Sequence, residues 1–508
     1  MDKIKFQEYR SFKTYFYQNA GLQFLGHLIS YTVLIVISFT TFHQAAIAQN
    51  HQEEAVRPYH DHPMYWQYKG EPVMLIGGTD SDNVFQLQYL EQHLDDLAAV
   101  GGNYVRNTMA FSRAEDAWPY QVNEEGKFDL NRFNPEFFER FEQLLQLAFE
   151  RDIIVQVEIW ATWNYYMDGG EGYPKRGWSR SPFNPINNIN YTVEESGLPT
   201  DVDYSKSEYP GEHSFFYTRP SELDLEIVRE YQEAFVDKIL EIAFQYPNVL
   251  YCMNNEVNEA HSWGRYWAQY IQDKAEREGI NVQTADMYDI NALTHPRHRE
   301  ILDDPAYTYV DISQNNFHTG EVHYELVRYL REYSFDGPQK PLNNTKIYGG
   351  FWTYDEGGED ESVARFMRNL FAGSASMRFH RRDADPYAEL RNYYGLGLGD
   401  EAKAVIQSTK MLLDKVQPWN LEPTYHHFLD RSRNEAYIMA DPGNSYAIYF
   451  TNGGGVDLDL RERSGSFTVQ WLDIMNSSWV DESQFEAGEL REIAAPGDGH
   501  WVAVIQRR

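Results

Sequence analysis

From residue 73 to about 416, short apolar runs alternate with amphipathic stretches eight times over, and this alternation limits the chain to very few folds. The runs over 73–76, 104–105, 153–159, 249–253, 282–285, 309–313, 342–348 and 376–379 have strand length. The intervening segments repeat apolar residues at helical spacing. Leu90, Leu94, Leu97 and Ala98 lie on one face, with Gly101-Gly102 behind them as a stop. Asn134 stands where a helix cap is needed, Pro135 suits the first helical position, and Phe138, Phe141, Leu145 and Ala148 form the apolar stripe. Leu223, Ile227, Tyr231, Phe235, Ile239 and Ile242 form another, and further helices are expected over about 320–333, 361–372 and 400–416. Eight strands, most with a helix behind, are the arithmetic of a (β/α)8 TIM barrel, class α/β. A doubly wound sheet is the weaker reading, because no Gly-rich phosphate loop follows the first strand.

The pattern changes after Pro418-Trp419. Short alternating strands over 437–440, 446–450, 456–460, 467–472 and 501–505 are separated by turns such as Asp441-Pro-Gly443 and Gly453-Gly-Gly455, which predicts a small antiparallel β-sandwich. The domain plan is therefore a signal peptide over 1–48, a linker over 49–63, a barrel over 64–418 and a sandwich over 419–508. Residues 64–78 open the barrel as a hairpin. A long aromatic, Gly- and Pro-rich insertion over about 161–219 exceeds an ordinary connection and is expected to be a loop over the active face.

The first 48 residues support the leader reading. Lys3, Lys5, Arg10 and Lys13 precede an apolar run over 28–39, and Ala46-Ile47-Ala48 is a small-x-small cleavage site. The apolar run is short for a membrane span, so export with cleavage after Ala48 is expected, with an uncleaved N-terminal anchor as the alternative. Net charge is −33, and losing residues 1–48 removes four basic and two acidic residues to leave −35. Such a surface repels nucleic acid and anionic membranes. Nothing in the sequence implies a protein partner, a nucleotide cofactor or any other cofactor. The single cysteine, Cys252, excludes an internal disulfide and reads as a packed thiol. His60-Asp61-His62, His295-Pro-Arg-His298 and His426-His427 lack the spacing of a zinc helix and read as solvated loops.

The fourth strand ends on Asn255-Glu256. A barrel strand fixes the backbone at its C-terminal end and projects the next side chain into the mouth, where carboxyl groups do glycosidic chemistry. With this dipeptide, the hairpin ending Leu75-Ile-Gly-Gly-Thr-Asp80, Val310-Asp-Ile-Ser-Gln314, Lys340-Pro341, Val469-Gln-Trp-Leu-Asp473 and Pro496-Gly-Asp-Gly499 occur in a fairly specific order. Over about 60–508 the chain resembles clan A glycoside hydrolases of the apiosidase-like, cellulase-like group, which carry a C-terminal collagen-binding-like β domain. The resemblance implies a TIM barrel, retaining glycosidase chemistry on carbohydrate, and Glu256 as general acid/base. That role asks for a raised pKa, which partial burial would supply. Glu259, on the next helix, reads as a cap or ion-pair residue.

The family's second carboxylate is a Glu ending the seventh strand, and here Lys346 occupies that place. Glu356 (or Asp355) beyond Trp352, Glu158 on the third strand and Asp286 on the fifth are the alternatives for a nucleophile, and an inverting or inactive barrel stays open beside them. Lys346, Arg106 and the run Arg378-Phe-His380-Arg-Arg382 suggest an anionic substrate, sulfated or uronic, because guanidinium pairs bidentately with sulfate and carboxylate. Trp160, Trp163, Tyr165, Tyr166, Trp178 and Trp352 are candidate sugar-stacking rings. Asp80, Asn107, Asn255, His318 and Tyr348 stand at strand ends where polar groups orient a sugar. Two other functions compete with hydrolysis: a non-catalytic carbohydrate-binding barrel, and a polysaccharide lyase using Lys346, Tyr348 or His318 as base.

Overall fold

A computed structural model describes residues 51, 53–166, 173–202, 213–348, 359–381 and 395–508. Eight parallel strands form the barrel: β1 (Leu75–Gly78), β2 (Tyr104–Thr108), β3 (Ile154–Ala161), β4 (Val249–Asn255), β5 (Thr284–Ala285), β6 (Val310–Asp311), β7 (Leu342–Ile347) and β8 (Ser376–Phe379). They pair as two half-sheets, β5-β4-β3-β2 and β6-β7-β8-β1. Asn103 closes one seam, its N–H donating to Ile76 O at 2.9 Å and its Oδ1 accepting from Ile76 N at 2.9 Å. Thr308 N donating to Thr284 O at 2.8 Å closes the other. The eight-stranded barrel expected from the sequence is therefore present, although β5 and β6 are each only two residues long.

The outer ring comprises α1 (Leu90–Ala99), α2 (Pro135–Phe149), α3 (Glu226–Ala243), α4 (His261–Glu278), α5 (Pro296–Asp303), α6 (Gly320–Asp336), α7 (Glu359–Phe371) and α8 (Asp400–Leu413). Asn134 caps α2 as predicted, accepting from Glu136 N at 3.3 Å. Helix α5 corrects the reading of 295–298 as solvated loop: His295 caps it, accepting from Arg297 N, and His298 is buried with its Nε2 3.0 Å from Ile290 O. Lys340 fixes the end of α5 by donating to Ile301 O at 3.0 Å and Asp304 O at 2.8 Å. Between β2 and α2 lies a second hairpin, Tyr120–Val122 with Phe128–Phe133, that the sequence reading passed over.

Both faces of the barrel wall are covered, so β3 and β4 are buried at every residue and show no alternation. The interior is unusually polar for a barrel core. Tyr104 OH donates to Gln156 Oε1 at 2.6 Å, Gln156 Nε2 to Asp311 Oδ2 at 3.0 Å, and Thr345 Oγ1 to the same oxygen at 3.2 Å. Every link has a partner, so this buried network adds rigidity below the mouth without leaving orphaned groups at those atoms.

The C-terminal unit has a six-stranded antiparallel sheet, β9 (Glu422–Pro423), β10 (Ala436–Asp441), β11 (Ser445–Phe450), β13 (Ser466–Asp473), β14 (Ser478–Glu486) and β16 (Trp501–Arg507), ordered β9-β10-β11-β16-β13-β14. A two-stranded sheet of β12 (Gly455–Asp459) and β15 (Leu490–Ala494) packs on one face through Val456, Leu458 and Ile493. The five strands expected there exist, and the sequence reading missed β9, β14 and β15.

Candidate active site

Glu256 follows β4 directly and has φ 57°, a left-handed conformation rare outside glycine. Such a residue stores on the order of 1–3 kcal/mol of strain and persists only where its surroundings hold it. Here they do. Thr162 Oγ1 donates to the carbonyls of Asn255 and Glu256, Val257 N donates to Met287 O at 3.0 Å, and Asp289 N donates to Val257 O at 3.2 Å. The turn aims the Glu256 carboxyl into a cleft of about 300 Å³ at the C-terminal mouth of the barrel.

Within the cleft, Lys346 Nζ and Gln314 Nε2 (2.9 Å) both donate to Glu256 Oε1. Glu256 Oε2 has no partner among the described residues, and the side chain is 34% exposed. Burial pushes the carboxyl up, but the Lys346 charge and hydrogen bond, Gln314 and Arg106 outweigh it and hold Glu256 below the usual glutamate range. The expectation of a raised pKa is thus corrected: Lys346 ion-pairs with Glu256 and keeps it ionised.

Asp82, Asp289, Ser112, Asn316, Trp163, Tyr348 and His380 also line this cleft, with Arg113, Arg176 and Arg381. Tyr348 packs edge-on against His380, centroids 4.2 Å apart. Burial holds His380 well below its ordinary pKa despite Asp82, so the ring is neutral. Asp82 is buried, yet the charges of Arg381, Arg106 and Arg378 overcome that burial and hold it well below the carboxylate range. Asp289, exposed on the cleft wall, is raised to about 6 by partial desolvation at the cleft and by the Glu256 charge, with Lys346 and an Asn258 hydrogen bond opposing.

Several predicted residues lie beneath the floor instead of on the wall. Arg106 is fully buried and uses its guanidinium on Glu158 Oε1, Asp82 Oδ1 and Asn255 Oδ1, each at 2.6 Å. Arg378 is pinned to Thr345 O and Thr79 Oγ1. Neither lines the cleft, which corrects their assignment as anion contacts: in a chain this acidic their donors are taken by the protein. Glu158 is sealed below the mouth; burial raises it to about 7, with Arg106 opposing. Asp286 points behind the wall, accepting from Asn254 Nδ2 at 2.8 Å and Met287 N at 2.9 Å, and burial raises it to about 6. Neither carboxyl lines the cleft, so neither meets a substrate there. Asn255 and Asn107 are buried too, and Asn107 Oδ1 accepts from Phe85 N at 3.0 Å. Asp80 accepts from Leu398 N at 2.9 Å, and the backbone carbonyl of His318 accepts from Arg365 Nε at 3.2 Å; both residues lie off the cleft wall.

Of the predicted rings, Trp163 is on the cleft, with the Arg176 guanidinium 5.3 Å from its centroid. Trp160, Tyr165 and Trp178 are core, packed around Phe215. Tyr166 and Tyr217 both donate to the buried Glu259, which latches the insertion onto the loop after β4. Trp352, Asp355 and Glu356 lie outside the described residues. Cys252 is buried, and burial lifts its thiol well above the usual range, as a packed cysteine requires. Asp82, Ser112, Arg113, Tyr173, Arg176, Asp289, Gln314 and Asn316 were not anticipated as site residues, whereas Arg381, from the basic run after β8, does reach the cleft. For Asp82 and Asp289 a signal existed: both follow a barrel strand within a few residues of its C-terminal end.

No family model and no curated protein matches the chain. Among solved structures, it is similar to a glycoside hydrolase family 5 protein from Bacteroides vulgatus ATCC 8482, with TM-score 0.60 and 12% identity over 90% of this chain and 94% of that one. A second glycoside hydrolase gives TM-score 0.58 and 12% identity over 90% and 97%. The Gamma-CGTASE of alkalophilic Bacillus clarkii gives TM-score 0.52 and 12% identity over 85% of this chain and 70% of that one. At this identity the likeness establishes the TIM-barrel fold followed by an antiparallel β unit.

Proposed function

We propose that this chain is an exported glycoside hydrolase that cleaves a polysaccharide, or an oligosaccharide derived from one, at the Glu256 carboxylate. The observation that carries the reading is the strained Glu256 at the end of β4, with Oε1 held by Lys346 and Gln314 and Oε2 turned to the cleft. An enzyme stores strain and pre-orients a carboxylate where a reacting centre will sit. The likeness to glycoside hydrolase folds supports the same reading, and the basic-then-apolar N-terminus ending at Ala48 supports export. Because Lys346 keeps Glu256 ionised, its resting role is that of proton acceptor or nucleophile instead of proton donor.

The substrate is anionic, sulfated or uronic. On the cleft wall Lys346 is matched by Glu256 and Arg381 by Asp82, and Arg113 and Arg176 stand beyond those pairs as cations, against a net −33 for the chain. Trp163 offers the stacking face beside them.

The ion pair between Lys346 and Glu256 also favours a second reading, a carbohydrate-binding barrel without turnover. A lyase is less favoured, since burial raises the Tyr348 hydroxyl far from a phenolate base. Matched neutral and anionic oligosaccharides, given to the wild type and to Glu256→Gln, separate these. Hydrolysis predicts new reducing ends, faster on the anionic series, and a loss of about 10²–10⁴-fold in the variant. Ultraviolet-absorbing unsaturated ends would assign a lyase, and saturable binding without products a binding protein.

A further inference from the structure

A glycosidase needs two carboxyl groups, and β7 offers Lys346 where the second is expected. Three carboxyls on described residues reach the cleft: Asp82, Glu256 and Asp289. Both oxygens of Asp82 are engaged, Oδ1 by Arg106 and Oδ2 by Arg381 at 2.8 Å, so it has no proton to give and no oxygen turned to a substrate. Glu158 and Asp286 do not line the cleft. Asp289 stands on the same wall as Glu256, and the two segments are joined in register: Val257 bridges Tyr288 in parallel, with one backbone hydrogen bond on either side. From this geometry we propose that Asp289 is the proton donor of the site, partnered by the Glu256 carboxylate. The assignment rests on the hydrolase reading.

The charged groups facing Asp289 are Glu256, from the end of β4, and Lys346, from β7, while Asn258 gives it a hydrogen bond. Their sum divides the two carboxyls. Lys346 sits on Glu256 and keeps it charged, and the resulting negative charge, together with burial, keeps the proton on Asp289 up to about pH 6. Two carboxyls pushed apart in this way are an acid and a base ready for opposite tasks. In the reaction the Asp289 carboxyl gives its proton to the glycosidic oxygen as the bond from that oxygen to the anomeric carbon breaks. A water oxygen bonds to the same carbon and loses a proton to Glu256 Oε2. Glu256 ends carrying the proton from water while Asp289 ends ionised, and proton exchange with solvent returns both to their resting states.

The test uses the full chain and paired aryl glycosides, dinitrophenyl and phenyl, of neutral hexoses and of glucuronic acid. A dinitrophenolate leaves without protonation, whereas a phenolate needs help. Asp289→Asn is expected to keep dinitrophenyl hydrolysis within about tenfold of wild type and to lose about 10²–10⁴-fold on the phenyl partner. In the wild type, kcat/KM should fall as pH rises through about 6, where Asp289 deprotonates, and this limb should vanish in the variant. Asp289→Glu should restore part of the phenyl activity and the limb. Equal losses on both leaving groups, or an unchanged limb, overturn the assignment while leaving the hydrolase intact. A wild type that cleaves neither these glycosides nor the oligosaccharides above overturns the hydrolase reading and this assignment together. An unchanged melting temperature for Asp289→Asn shows that any loss is not unfolding.

Discussion

Lys346 determines the chemistry of the mouth. Its side chain is 2% exposed and reaches a Glu256 whose pKa burial pushes upward. Replacing it with methionine removes the ammonium but keeps the stem, so burial then dominates and the Glu256 pKa rises. A carboxylate that must be ionised to act is active above its pKa. Lys346→Met should therefore move the acid limb of kcat/KM to higher pH, lowering activity at about pH 5 more than at neutrality. A limb that stays in place would show that Glu256 is not the ionised partner. Side-chain chemistry was readable from the sequence where it depended on one strand end: Glu256, Lys346, Tyr348, Trp163 and His380 all reach the cleft. It was not readable where two strands compete for one group. Arg106 looks like an anion contact until β1, β3 and β4 bring Asp82, Glu158 and Asn255 to its guanidinium.

Among the elements, α4 and the segment after β5 show how closely the wall is built. Gly264, in the first turns of α4, faces Asp286, and a Cβ there would lie 1.8 Å from Asp286 Oδ2. Asp286 has little freedom to retreat, being held by Asn254 Nδ2 and Met287 N, while Trp263 Nε1 donates to Asn254 Oδ1 at 2.9 Å from the same helix. Gly264→Ala should force α4 off the strand and cost about 1–3 kcal/mol, read as a lower denaturant midpoint with an unchanged slope. A midpoint equal to wild type would mean that the wall yields there. The helices were legible from sequence wherever an apolar stripe ran for three turns, as in α2 with Phe138, Phe141, Leu145 and Ala148. Helix α5 was not, because its eight residues bury only His298, Ile301 and Leu302, and apart from Pro296 the rest are charged. The edge strand β14 escaped for a related reason. Its centre, Asp481–Gln484, is exposed, so the alternation that marks a half-buried strand is missing, and such charge on an edge discourages pairing with another chain.

At the scale of the molecule, alternation along β10, β11 and β16 divides the C-terminal sheet between two cores. Ile438, Tyr446, Ile448, Phe450, Ala503 and Ile505 face the small two-stranded sheet. Tyr437, Met439, Ala447, Tyr449, Val502 and Val504 face the other way and belong to one continuous core with the barrel. Tyr437 packs on Tyr324 of α6, centroids 4.4 Å apart, and Phe371 of α7 on Tyr449 at 5.7 Å. Arg431 adds a two-pronged bond to Glu321 of α6, at 3.1 and 2.7 Å. A sheet that shares its core with the barrel braces it, and the two should not melt apart. Tryptophan fluorescence reports on both, through Trp160 and Trp263 in the barrel and Trp471 in the sheet. Heating should give one transition coincident with that seen by circular dichroism, and a chain ending at 418 should fail to accumulate in soluble form, since Tyr324 of α6 and Phe371 of α7 would lose the rings that cover them. Two separated transitions, or a soluble barrel that keeps its activity without residues 419–508, would show instead that the sheet is an independent module, and the search for its own ligand would then begin on the exposed strand β14.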